Sequence, residues 1–152
     1  MLRSPIIAIS GMAFALSVHA NPTVQLSSLA DVEKALGRGV PISVVLDLAK
    51  CSPAAGATSP GTVRGGLKID AYRILPDGTL SFADGHATVD RSGQPIWQFL
   101  RYQVKPDQAV TFTMDVFSLP SYARKAEQIS YACAVNQGVA FFMNTVSAEE
   151  TP

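Results

Sequence analysis

Residues 96–118 read IWQFLRYQVK, PDQ and AVTFTMDVFS, and this stretch decides the fold. Its last ten residues, Ala109–Ser118, alternate. Val110, Phe112, Met114 and Val116 fall on one face, and Thr111, Thr113 and Asp115 on the other, which is the period of a half-buried β-strand. Its first ten, Ile96–Lys105, carry apolar groups on both faces. Ile96, Leu100 and Val104 share one face with Gln98 and Tyr102, while Trp97 and Phe99 share the other with Arg101. Pro106-Asp107-Gln108 has the chemistry of a turn. So short a link between sequential strands forces antiparallel pairing.

The flanks repeat the alternation of strand and turn. Thr79–Asp90 reads as a strand, with Gly85 expected to mark a bulge or kink, and Arg91–Pro95 as the turn after it. Leu67–Leu75 reads as the strand before it, closed by Pro76-Asp77-Gly78. Downstream, Leu119–Gln128 holds Pro120 and a charged run and is expected to be a crossing loop with a short helical turn. Ile129–Asn136 and Val139–Val146 then form the last two strands, with a tight hairpin at Gln137-Gly138. Ala148–Pro152 reads as a frayed acidic tail. Upstream, Ile42–Leu48 (ISVVLDL) is nearly continuous in apolar character, which predicts a strand covered on both faces. Residues 52–66 are small, Pro-rich and Gly-rich, and predict a long loop. One helix is legible: Ser28 as N-cap, early acids Asp31 and Glu33, and Leu29, Val32 and Leu36 at helical spacing. Gly37, Gly39 and Pro41 stop it. The expectation is a mainly β chain, an antiparallel meander of about seven strands. It forms a small barrel or sandwich with one short N-terminal helix, in a single domain over residues 21–152.

Composition narrows the function classes. The chain has 152 residues, 47% of them apolar and only 16% charged, which fits one packed domain and argues against disorder. Twelve basic and twelve acidic side chains leave no bulk positive charge for nucleic acid. Arg3 is followed by an apolar run over Ile6–Val18 and by Ser17-Val18-His19-Ala20. This is the pattern of a signal peptide, residues 1–20, cut before Asn21. The run is too short to span a bilayer, for which about 20 apolar residues are needed, and no later segment is long enough either. The expected location is periplasmic or secreted. Cleavage removes Arg3 and His19, so one histidine, His86, remains.

Two cysteines in an exported chain are expected to pair, here Cys51 with Cys133. A reactive thiol would need a cationic neighbour, and Lys50 alone is a weak one. His86 lies between Asp84 and Asp90, yet no nucleophile or metal-ligand spacing accompanies it, so no catalytic or metal site is assigned and no cofactor is expected. Asp47, Asp70, Asp84, Asp90 and Asp115 lie in or beside strands. Two of them could face each other as a glycosidase pair, but ion pairing is the expectation, for Asp47 and Asp70 with Lys68, Arg73 or Arg101. Gly65-Gly66 precedes a strand, not a helix, and is no phosphate loop. The second apolar face of Ile96–Lys105 is expected to be covered by the helix, or else by a protein partner or a small apolar ligand. Trp97 and Phe99 are the candidate binding residues.

Several short stretches, taken in order, resemble the VirK family of small exported bacterial proteins. They are Val44-Val-Leu-Asp-Leu48 with Lys50-Cys51, then Gly65-Gly-Leu67 with Ile69-Asp-Ala-Tyr-Arg73. Asp77-Gly-Thr-Leu80, Phe82-Ala-Asp84 and Gln98-Phe-Leu-Arg-Tyr102 follow, with Tyr131-Ala-Cys133 as a later match. The resemblance implies a periplasmic or secreted protein connected with host association, and it carries over no catalytic residue. A lipocalin is a poorer match, since the Gly-x-Trp of its first strand is absent. The first expectation is a non-enzymatic binding module, the second a small-ligand carrier with an apolar interior, and the third a carboxylate-based hydrolase.

Overall fold

A computed structural model describes residues 22–57, 59 and 61–144. The expected signal peptide, the cut before Asn21, the end of the last strand at Val146 and the tail lie outside these residues. In chain order the elements are β1 (Thr23–Leu26), α1 (Leu29–Gly37), β2 (Ile42–Asp47), a 3-10 turn (Leu48–Lys50), β3 (Ser52–Pro53) and β4 (Arg64–Lys68). Then come β5 (Tyr72–Ile74), β6 (Leu80–Val89), β7 (Pro95–Val104), β8 (Ala109–Ser118), β9 (Ala123–Arg124), β10 (Ile129–Val135) and β11 (Gly138–Asn144). All strands join one sheet in the order β4-β2-β11-β10-β8-β7-β6-β5. β1 is added on β11, β3 on β10 and β9 on β8.

The class is the expected one, mainly β, with a single α-helix among the described residues, and the sheet curls into a half-barrel. Its end strands, β4 and β5, do not pair with each other, so the curl stays open. Among the described residues the strands number eleven instead of seven, for two physical reasons. β1, β3 and β9 are pieces of two to four residues, too short to show a period. The expected strand Leu67–Leu75 is two strands serving opposite ends of the sheet. β4 pairs with β2 (Val44↔Leu67), and β5 pairs with β6 (Arg73↔Ser81).

The main core lies inside the curl. Ser28 caps α1 as expected, its hydroxyl accepting from the Asp31 N–H, and the helix buries Leu29, Val32, Ala35 and Leu36 against it. The Leu29 N–H at the helix start donates to Gln108 Oε1, 2.9 Å away in the turn between β7 and β8. Phe82 stacks on Tyr102 (ring centroids 4.9 Å apart) and meets Phe141 edge-on at 6.2 Å. Tyr102 leans on Phe112 at 5.0 Å. Burying each such ring stabilises the fold by roughly 2–3 kcal/mol. Burial raises the Tyr102 phenol above its ordinary pKa, with the charge of Asp84 adding to the effect.

Four local expectations need correction. β2 is not covered on both faces: Ile42, Val44 and Leu46 are buried, while Ser43 and Val45 are exposed. The loop 52–66 is not free along its length. Ser52 and Pro53 pair with Ala132 and Tyr131, and Ala54 and Ala55 exchange backbone hydrogen bonds with Ser130. Leu119–Gln128 contains β9 and no helical turn. The hairpin expected at Gln137-Gly138 is a tight loop that returns the chain to its former direction. β10 and β11 touch only at Ala134↔Gly138 and Val135↔Val139, in parallel register, and each strand then finds other partners.

That loop is held by side chains. Asn136, in the left-handed region at φ 62°, donates through Nδ2 to Ser27 O at 3.2 Å and accepts from Gln25 Nε2 at 2.6 Å. Gly138, at φ 93°, lies against the bond between Cys51 and Cys133, and a Cβ there would strike Cys51 Sγ. The two cysteines are joined, Cα to Cα 4.5 Å. They tie the end of the 3-10 turn to β10, across 82 positions of chain.

Candidate functional site

The sheet has two faces, and β7 sets both. Its pairing with β6 and β8 puts Tyr102 beside Phe82 and Phe112 on the core side. On the other side it puts Phe99 beside Gly85 and Asp115, and Arg101 beside Ala83 and Thr113. The assignment of faces read from the alternation therefore holds. What covers the second face differs from the expectation. α1 packs on the core side, so the helix does not cover Trp97 and Phe99.

Part of that face is covered by the segment after β8. Tyr122 lies 6.3 Å from Trp97, centroid to centroid. The Arg124 guanidinium sits 5.4 Å above the Phe117 ring and pairs with Asp115. Gln128 Nε2 donates to the other Asp115 oxygen at 2.7 Å. Asp115 is only 7% exposed, and with both oxygens engaged its burial is compensated. Lys125 pairs with Asp90, whose carboxyl is held well below its ordinary pKa by that ammonium first, then by the Ser92 hydroxyl and the Gln94 N–H.

Gly85 makes no bulge. β6 pairs with β7 without interruption from Leu80↔Val104 to Val89↔Pro95. The glycine instead makes room for Trp97, since a Cβ there would lie 2.9 Å from Cζ2 of the indole. Trp97 is thus half-buried between Gly85 and Tyr122, and of the two aromatic candidates Phe99 is the more open, at 40% exposure.

Beyond the covered part lies an open groove of about 480 Å³. Its wall and floor come from Tyr72 and Arg73 of β5, Ser81 and Ala83 of β6, and Phe99 and Arg101 of β7. The small side chains of β6 leave the depression between the taller groups on either side. The guanidinium groups of Arg73 and Arg101 form no ion pair or hydrogen bond among the described residues, so two cations and an aromatic ring face solvent together. Arrangements of this kind bind carboxylate or phosphate groups next to an apolar body. Phe99 and Arg101 were legible from their shared face. Arg73 was not, because nothing local shows that β5 joins β6 while β4 goes to β2.

The other polar candidates are accounted for within the fold. Asp47 pairs with Arg64 at 3.2 Å, and not with Lys68, Arg73 or Arg101, because β2 and β4 place Asp47 opposite Arg64. Asp70 stands exposed between β4 and β5 and forms no ion pair among the described residues. His86 Nδ1 lies 2.7 Å from Asp84 Oδ2 on the exposed end of β6, and no third His, Cys, Asp or Glu completes a metal-binding group with them among the described residues.

A family model described as VirK protein matches residues 25–122. The chain belongs to the VirK family. The match spans the whole groove, from β5 to β7, together with most of the core. An uncharacterised protein of Sinorhizobium fredii is 46% identical over 133 residues, which cover 87% of this chain and 92% of that protein. An uncharacterised protein from the region 3′ of pinF2 in Rhizobium radiobacter is 44% identical over 132 residues, covering 86% and 91%. The crystal structure of a VirK family protein from Legionella pneumophila shares the fold at TM-score 0.68 and 19% identity, over 78% of this chain and 98% of that one.

Proposed function

We infer that this VirK family member is an exported, non-enzymatic binding module, and that its partner is a protein docking on the groove of Phe99, Arg73 and Arg101. The observation that carries this reading is the uncovered half of the outer face of β7. Phe99 and the Arg101 guanidinium are fixed there by a rigid ladder, with the Arg73 guanidinium beside them on β5, the composition of an interaction surface. Support for export comes from the sequence of residues 1–20 and from a cysteine pair of the kind formed in oxidising compartments.

The carrier reading has less behind it. Phe82, Tyr102, Phe112 and Phe141 fill the inside of the curl, where an apolar ligand would have to sit. A hydrolase would need its acid–base groups to converge. Asp90 and Asp115 are engaged by cations, and His86 has only Asp84.

The test compares Phe99→Ala and a Arg73→Glu, Arg101→Glu double variant with wild type. Each is purified folded and assayed for complementation of a deletion strain in the native host. Both should lose the biological role while melting near the wild-type temperature, and His86→Ala should keep it. Full function in both groove variants, with loss in a folded His86→Ala protein, would favour an enzyme. Intact mass of the exported product should begin at Asn21, and retention of Met1 would argue against cleavage.

A further inference from the structure

β6 is ten residues long, but its two neighbours are unequal. β7 pairs with all of it, Leu80 to Val89, whereas β5 pairs only with Leu80, Ser81 and Phe82. From Ala83 to Val89 the side of β6 away from β7 has no strand beside it among the described residues. The direction of its free groups follows from the turns. The Asp90 N–H bonds to Gln94 O, and Thr79 O accepts from Leu75 N on the side of β5. Even-numbered residues therefore turn their backbone groups to β7. Ala83, Gly85, Ala87 and Val89 turn theirs outward, four N–H and four C=O groups in a row.

Such an edge is normally blunted by lysine, proline or a bulge. Residues 83–89 contain none of these, and the ladder to β7 runs straight across Gly85. The single carboxylate, Asp84, is bound to the adjacent His86. Val89 at the end of the edge is 62% exposed.

We propose that the free edge of β6 pairs antiparallel with the same edge of a second copy of this chain, two-fold symmetric about His86, to form a homodimer. The occupant follows from self-complementarity, which an isologous contact requires. In this register Ala83 faces Val89 of the partner copy, and Gly85 faces Ala87. Asp84 faces Thr88, and His86 faces its own copy. Apolar side chains meet apolar ones on the groove side, and polar meet polar on the other, with no two carboxylates opposed. The outward backbone groups all fall in hydrogen-bonded pairs, and the pairing starts where β5 stops. A shift to centre the axis on Gly85 would set residues 88 and 89 of the partner copy against Phe82 and Ser81, positions β5 already occupies. The pairing also lays Val89 of the second copy beside Ala83, on the floor of the groove. This inference does not depend on the binding role proposed above.

The experiment uses the mature chain, residues 21–152. Light scattering at concentrations on the order of 100 μM should give the dimer mass. Ala87→Pro removes one outward N–H that β7 does not use, and Ala87→Lys places a charge opposite Gly85 of the second copy. Both should be monomers with the wild-type melting temperature. If the proline variant fails to fold, the lysine variant decides. His86→Cys should form an intermolecular disulfide under air oxidation, because facing residues of a non-hydrogen-bonded pair bring Cβ atoms to about 4.5–5.5 Å. Thr88→Cys, opposite Asp84, should not. A wild-type monomer at the highest concentration overturns the proposal. So does a dimer that survives both Ala87 variants, which would use another surface, or equal cross-linking of the two cysteine variants, which would deny the register.

Discussion

The two ends of the β6–β7–β8 ladder are made of the same strands and behave as different materials. At one end Leu80, Phe82, Tyr102, Val104, Val110 and Phe112 are buried, with α1, β2 and β11 closing over them. At the other end the same three strands run on with little over them. Ala83 and most of β6 to Val89 are exposed, Phe99 faces solvent, and Asp115 is covered only by the segment 119–128. Ile96 is buried there too, but outside the main core cluster. Three strands with hydrogen bonds intact do not need a core along their whole length, provided one end is anchored. The anchored end carries the stability. The extended end leaves Phe99 and most of β6 beyond Phe82 in solvent.

This contrast can be broken by unequal losses. The largest is expected for Phe141→Ala, which empties the place where Phe82 and the helix meet β11. It should cost about 3–5 kcal/mol in denaturant unfolding. A loss under 1 kcal/mol would mean that the closed end is not the anchor. Next is the bridge: Cys51→Ser with Cys133→Ser should cost roughly 2–5 kcal/mol. Hydrogen exchange should then rise first in residues 52–57 and in β10, with β6 and β7 unchanged.

At the extended end, Asp115→Ala leaves Arg124 and Gln128 without their acceptor. An effect of about 1–3 kcal/mol is expected, read as faster exchange in residues 119–128. Loss of protection in β2 and β11 as well would show the two ends to be one cooperative unit. The smallest effect sharpens the contrast by pH. The raised pKa of Tyr102 means that the folded chain keeps its proton where the unfolded chain, with an ordinary value near 10, gives it up. Its contribution is full below about pH 10 and is lost as pH climbs toward the folded value. Tyr102→Phe should flatten that alkaline decline of stability.

The strands that alternate were legible because burial on one side imposes a period of two. Ala109–Ser118 and Ile96–Lys105 therefore read correctly, face by face, and so did the Ser28 cap, which depends on one side chain and one nearby N–H. The groove was half legible. Phe99 and Arg101 share a face by position in β7, but Arg73 joins them only because the chain divides at Ile69-Asp70-Ala71, where no proline or glycine announces a break. Gly85 read as a bulge because a glycine within a strand has two uses, and only the packing of Trp97 chooses between them.

What the sequence by itself determined is the local part: the strand periods, the turn positions, the helix cap and the family. Each of these rests on interactions among residues close in the chain or on a pattern of residue types. The tertiary structure alone decided what lies beside what. It sent β4 and β5 to opposite ends of the sheet. It made Asn136 and Gly138 a return loop instead of a hairpin, through bonds from Asn136 to the end of β1. It left β6 with an open edge. The same left-handed residues serve either turn, and the same strand pairs on either side, so only the distant partner settles the matter.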